Sequence, residues 1–147
     1  MDYSNKFLQA VEFVFDREGR TVENISGDSG GVTKFGISHK SYPTLDIANL
    51  TEDQAKDIYF RDYWTPLYCE QYESRLALAI FDTGVNNGVG TAKALLAKFG
   101  TQAFTVEQFL FKRLRRYISI VQANPSQGKF LLDWVLRVQK VQEFTFI

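Results

Sequence analysis

Apolar residues recur at helical spacing along most of the chain, and the rhythm fails in one place. Over residues 5–17, Phe7, Leu8, Val11, Val14 and Phe15 fall at i, i+3/i+4 and i+7, the pattern of an amphipathic helix. Ser4 stands where an N-cap belongs and Gly19 just past the end. Residues 20–38 differ: Gly27, Gly30 and Gly31 punctuate them, and Val32, Phe35 and Ile37 do not fit a long helix. This stretch reads as a small hairpin or extended loop, the only β-like element. Helical patterning resumes at Thr51, which with Gln54 forms a capping box opening a helix to about Asp62. Leu76, Ala79, Ile80 and Phe81 mark a further helix ending near Gly84, and the turn GVNNGVG leads into a helix over residues 91–99, stopped by Gly100. Thr105 and Gln108 repeat the capping box, and that helix should end at Asn124 because Pro125 disfavours helix in the residue before it. A last amphipathic helix spans about residues 127–144. The expected fold class is mainly α, with one small β-hairpin near the N-terminus.

A length of 147 residues fits a single domain over 1–147. With 45% hydrophobic residues and 13 Phe, a substantial core is available, which excludes a disordered chain. Zero formal net charge gives no sign of a nucleic-acid binder, so no nucleic acid is expected as partner. The zero conceals an asymmetry: residues 1–100 hold 10 Lys and Arg against 14 Asp and Glu, and residues 101–147 hold 7 against 3. The basic end could approach an anionic polymer, though a solvated helix face explains it as readily. Cys69 and His39 are single, so a disulfide within the chain and a His/Cys zinc site are both ruled out, and no metal or cofactor is expected. The N-terminal residues look like neither a secretory signal nor a membrane span, so synthesis in the cytoplasm without membrane insertion is expected.

The segment EGRTVENISGDSGGVTKFGIS, residues 18–38, concentrates the chemistry. Glu18 ends the first helix, where a carboxylate faces the negative end of the helix dipole. Asp28 follows ten residues later in a Gly-rich turn, and Thr33 comes after it. Two acids and a hydroxyl around one hairpin can face each other across a cleft, as glycoside hydrolysis requires: one carboxyl protonates the leaving oxygen, and a second group handles water or the developing positive charge. Each residue alone has an ordinary explanation, as a helix-end glutamate, a turn former or a strand threonine. The string Gly27-Asp28-Ser29-Gly30-Gly31 resembles a serine-protease nucleophile loop, but the sole histidine follows it and the strand content for that fold is missing. Asn86 and Asn87 could cap helices or bind sugar amide and hydroxyl groups. Tyr59, Tyr63 and Trp64 could stack on sugar rings or fill the core. Trp134 and Arg137 share a face of the last helix, with packing as the first role and ligand contact as the second.

Together these residues resemble the glycoside hydrolase family 108 muramidases, once described as secretion activators. The resemblance rests on Glu18-Gly19, on Asp28-x-Gly30-Gly31-x-Thr33-x-x-Gly36-Ile37-Ser38, on Tyr63-Trp64 and on Phe81-Asp82-x-x-Val85-Asn86-x-Gly88. It extends to Phe130-x-x-x-Trp134-x-x-Arg137-Val138, similar to that family's peptidoglycan-binding segment. It implies a lysozyme-like α+β fold, with residues 1–100 as the catalytic part and residues 101–147 as a C-terminal helical part. It implies cleavage of the β-1,4 bond between N-acetylmuramic acid and N-acetylglucosamine in peptidoglycan, with Glu18 as the catalytic acid. The order of Glu18, Asp28 and Thr33 is also similar to the active-site triad of phage-type lysozymes, which implies supporting roles for the last two. Asp28 would activate water from the opposite face or stabilise the oxocarbenium-like centre, and Thr33 would help hold that water. The implied enzyme is an endolysin-like monomer that needs no cofactor and depends on a holin or secretion machinery to reach the cell wall.

The chain departs from the family in two places: Arg20-Thr21 stands where Gly-Tyr is usual, and Asp133 where Gly usually precedes the rear Trp. Lytic transglycosylase chemistry could use the same lone Glu. A non-catalytic cell-wall-binding, virion or secretion-associated protein is the reading from another class; retention of Glu18 speaks against it. For the fold, the periodicity predicts a far-ultraviolet circular dichroism spectrum dominated by helix. A strand-dominated spectrum would reject this reading.

Overall fold

The computed structural model describes residues 2–24 and 31–147, and the chain divides into two compact units, one up to Trp64 and one from Thr65 to Ile147.

In the first unit α1 spans Asn5–Glu18. Ser4 caps it by accepting from the Phe7 N–H at 3.1 Å. Phe7, Ala10, Val11, Val14 and Phe15 on its inner face are fully buried. Among the described residues three short antiparallel strands follow: β1 (Glu23–Asn24), β2 (Val32–Lys34) and β3 (Ile37–Ser38), in the order β1-β2-β3. The register pairs Glu23 with Thr33, and Thr33 in turn with Ser38. The expected hairpin therefore carries a third strand, because the Phe35-Gly36 turn folds Ile37 back onto Lys34. A 3₁₀ turn at Ile47–Asn49 leads to α2 (Glu52–Tyr59), whose Thr51–Gln54 capping box is formed as the sequence predicts. The backbone then widens into a π-helical turn at Phe60–Trp64, so α2 stops short of the expected Asp62. Trp64 is 1% exposed and meets the Phe7 ring edge-on, with Phe60 and Tyr3 completing the cluster.

In the second unit α3 (Ser74–Asn87) is the central element. Every residue from Leu76 to Gly84 is buried, the signature of a helix covered on all sides. Glu73 caps it, accepting from the N–H groups of Leu76 and Arg75 at a helix end that favours negative charge. Around α3 pack α4 (Val89–Ala97), α5 (Val106–Ala123) and α6 (Leu131–Glu143). Three boundaries differ from those expected. Gly84 does not end α3: it lies inside the helix, where a Cβ would come within 2.6 Å of the Leu67 side chain. Helix α3 runs on through Asn87 to Gly88, whose φ of 97° makes the corner and lets α4 start at once. The last helix begins only at Leu131, because residues 125–130 form a 3₁₀ segment entered at Pro125. Among the described residues no helix is long and apolar enough to cross a membrane.

A charge network holds the core of this unit. Asp82 on α3 and Arg113 on α5 are fully buried and meet at 2.9 Å. Arg137 on α6 reaches the other oxygen of Asp82 at 2.8 Å, its side chain 14% exposed. Arg113 also donates to the Thr83 hydroxyl and to Tyr117, and Tyr117 donates to Asn87. One buried carboxylate thus ties three helices together. Burial alone would push its carboxyl up, but the two guanidinium groups more than offset this and hold it below the usual carboxylate range. Asp82→Asn would leave two cations in the interior facing an amide, and should cost about 3–5 kcal/mol of stability. A carboxyl whose folded pKa is depressed contributes its stability in full above the unfolded value near ~4, and loses it as pH falls through the lower folded value. The melting temperature of the wild type should therefore fall more steeply below about pH 4 than that of Asp82→Asn. Parallel acid limbs in the two melting series would contradict the role assigned to this network.

Candidate active site

Glu18 is the last residue of α1 because the chain cannot continue the helix through Gly19. That glycine has a φ of 91°, and its N–H closes the helix on the Phe15 carbonyl at 2.8 Å. The Glu18 side chain is half-buried. Against it lies the two-residue turn between β2 and β3, in which Phe35 and Gly36 both have positive φ, 55° and 79°. This is the turn whose twist matches a tight hairpin, and glycine suits its second position. Phe35 is a costly occupant of the first, because a bulky side chain rarely adopts that region. Its ring compensates by packing on Phe15 with centroids 5.0 Å apart, and its carbonyl accepts from the buried Tyr59 hydroxyl at 2.6 Å. A Cβ on Gly36 would fall 2.7 Å from each of three atoms: Glu18 Cβ, Glu18 Cγ and the Tyr59 hydroxyl oxygen.

A second group of polar residues adjoins Glu18. The Tyr63 ring lies 5.5 Å from that of Tyr59, four residues before it, and Tyr63 is half-buried. Burial raises the Tyr63 pKa, a hydrogen bond with Tyr42 opposes the rise, and the negative charges of Asp62 and Glu18 reinforce it. The Tyr42 hydroxyl donates to Asp62 at 2.6 Å; burial and then this bond hold Tyr42 well above its ordinary value. Two hydrogen bonds from Arg61, helped by the one from Tyr42 and opposed by partial burial, keep Asp62 below the usual carboxylate range. Arg20, one of the departures from the family pattern, clasps Glu12 and Asp16 on α1 at 2.7 Å each and Glu52 on α2 at 3.5 Å.

Of the residues singled out in the sequence, Glu18 and Tyr63 are near enough in the first unit for the charge of Glu18 to act on the Tyr63 hydroxyl. Thr33 sits in the middle strand, half-buried, with its hydroxyl directed at the Glu23 carbonyl at 3.5 Å. Asp28 lies outside the described residues. Trp64 belongs to the core, where its burial prevents it from stacking on a sugar. Asn86 and Asn87, read as a loop, are in the last turn of α3, and both meet the Tyr117 hydroxyl, at 3.5 and 2.9 Å. Trp134 stacks on Tyr117 with centroids 4.9 Å apart and on Phe130 at 5.9 Å. Arg137 is spent on Asp82. These four residues therefore form one packing network in the second unit. Tyr42 and Asp62 carry no sign of a site in the sequence, and Tyr59 stands there only as one of the aromatics that could stack on sugar or pack. The four-residue spacing of Tyr59 and Tyr63 was a usable signal, whereas nothing local links Tyr42 to Asp62.

The arrangement at Glu18 is a half-buried carboxyl beside phenols and a crowded backbone turn, suited to holding one proton donor in a fixed direction. Among the described residues no group of three or more His, Cys, Asp or Glu side chains could hold a metal ion.

The solved structure of Brucella abortus SagA is similar in fold, with a TM-score of 0.73 and 21% sequence identity over 92% of this chain and 90% of that one. No curated protein matches the chain. Residues 11–88, more than half the chain, match the family described as Glycosyl hydrolase 108, and they contain Glu18, its turn and the tyrosine cluster. The chain belongs to glycosyl hydrolase family 108, a family of enzymes that hydrolyse glycans.

Proposed function

We propose that the protein is a muramidase that hydrolyses the β-1,4 bond between N-acetylmuramic acid and N-acetylglucosamine in peptidoglycan. The observation that carries this reading is the position of Glu18 within a glycosyl hydrolase family match: a half-buried carboxyl fixed between the end of α1 and the β2–β3 turn. Protonated Glu18 donates to the glycosidic oxygen as the bond to the muramic acid anomeric carbon breaks. The leaving N-acetylglucosamine hydroxyl takes that proton. A water molecule then supplies the new bond at the anomeric carbon and gives up its own proton to a base. Asp28 is proposed as that base or as the stabiliser of the oxocarbenium-like centre, with Thr33 assisting. Tyr63, beside Glu18, is proposed to contact the sugar. Action on the cell wall after release or export from the cytoplasm completes the reading.

Glu18→Gln keeps the size of the side chain and removes the proton. General acid catalysis contributes ~10²–10⁴-fold, so turnover on purified peptidoglycan should fall by at least that order. Glu12→Gln is the control, since Glu12 is also on α1 but is bound to Arg20 at the surface. Its turnover should stay near wild type, with thermal melts showing both variants folded. Wild-type turnover in Glu18→Gln, or an equal loss in Glu12→Gln, would end the proposal.

A further inference from the structure

We infer that Tyr59 is a positioning residue for Glu18: its hydroxyl, bound to the Phe35 carbonyl, holds the β2–β3 turn against the acid and so fixes the direction of the acid's carboxyl. This rests on the reading of Glu18 as the proton donor.

One hydrogen bond and one crowded space meet at the Tyr59 hydroxyl. The Tyr59 hydroxyl donates to the Phe35 carbonyl at 2.6 Å, in a side chain that is 1% exposed. The same oxygen borders Gly36, at the spot where a Cβ would also strike Glu18 Cβ and Cγ. Through this hydrogen bond α2 is joined to the turn, and the Gly36 of that turn leaves no room for a side chain beside the end of α1. The turn needs such a restraint. Phe35 holds a φ of 55°, a conformation that persists only where its surroundings over-determine it. Burial of the Phe35 and Ile37 side chains, 6% and 2% exposed, supplies part of that restraint and the hydroxyl supplies the polar part. Without the hydroxyl, Phe35 can relax toward negative φ, Gly36 withdraws, and the space beside Glu18 opens. The acid then gains directions from which it cannot reach the glycosidic oxygen. The role belongs to the transition state rather than to binding, because the hydroxyl bonds to the turn beside the acid and is itself closed off from solvent.

Tyr59→Phe removes the hydroxyl and leaves the ring that packs on Phe15 and Tyr63. On purified peptidoglycan its kcat should fall about 10–100-fold, the scale of a misplaced reacting group, with KM nearly unchanged. Gly36→Ala, which drives a methyl group against Glu18, should lower kcat at least as much. Ser4→Ala supplies the stability control. It removes the N-cap at the opposite end of α1, about 20 Å from Glu18 at the helical rise per residue, so it lowers the melting temperature while sparing kcat. Wild-type kcat in Tyr59→Phe, with Glu18→Gln inactive, would overturn the positioning role and leave the muramidase reading intact. A loss of kcat in Ser4→Ala matching that in Tyr59→Phe, or a rise in KM in place of a fall in kcat, would likewise overturn it. Full activity in Glu18→Gln would remove both readings together.

Discussion

Glu18 can stand where it does because residue 36 has no side chain. The chain reverses direction there with two consecutive positive φ values, and the backbone of the turn lies so close to the acid that a single methyl would overlap its Cβ and Cγ. Much of the first unit can be understood from this contact. Gly19 must stop α1 before the turn arrives. Phe35 must accept an unfavourable backbone so that its ring reaches Phe15, and Tyr59 must be buried so that its hydroxyl reaches Phe35. Strained backbone at a functional site persists when its neighbours leave no alternative, and here the neighbours can be named.

The second unit answers a different constraint, which is how to bury a carboxylate. Asp82 takes two arginines from two other helices, and Tyr117, Thr83 and Asn87 extend the network, while Arg113 Nη2 is buried without a hydrogen-bond partner among the described residues. A network of this type contributes specificity of packing more than net stability, since desolvation consumes much of the attraction between the charges. It also accounts for residues that resemble ligand-binding groups when read along the chain. Trp134 is a stacking platform for Tyr117, and Arg137 is a counter-ion for Asp82. The positive balance of residues 101–147 is thus partly internal.

Local signals in the sequence were sufficient for the existence of the helices and for several of their caps. Both capping boxes are present with both reciprocal bonds, the Ser4 cap is formed, and α5 ends at Ala123 with Asn124 as its C-cap before Pro125. Where local preference yields to tertiary packing, the sequence was a poorer guide. Gly84 reads as a stop, yet it is the place where α3 passes under Leu67. Asn86 and Asn87 read as a loop, yet Tyr117 draws them into a final helical turn. The π-helical turn after Tyr59 left no trace in the periodicity. Within the candidate site, Glu18 stood out through its place beside the Gly-rich segment and through the family resemblance, since a helix-end glutamate alone has an ordinary explanation. Tyr59 was visible only as one aromatic among several, since its role depends on a carbonyl 24 residues away. The link between Tyr42 and Asp62, 20 residues apart, had no local sign at all.

If Glu18 delivers its proton to the oxygen of a muramic acid–glucosamine linkage and water attacks the anomeric carbon, the chemical identity of the released ends is determined. The most direct measurement is mass analysis of the soluble fragments released from purified peptidoglycan by the wild-type protein, before and after borohydride reduction. The account predicts muropeptides with a reducing N-acetylmuramic acid end, each heavier by two hydrogens after reduction. Reducing N-acetylglucosamine ends, anhydro-muropeptides that resist reduction, or no released fragments would contradict it.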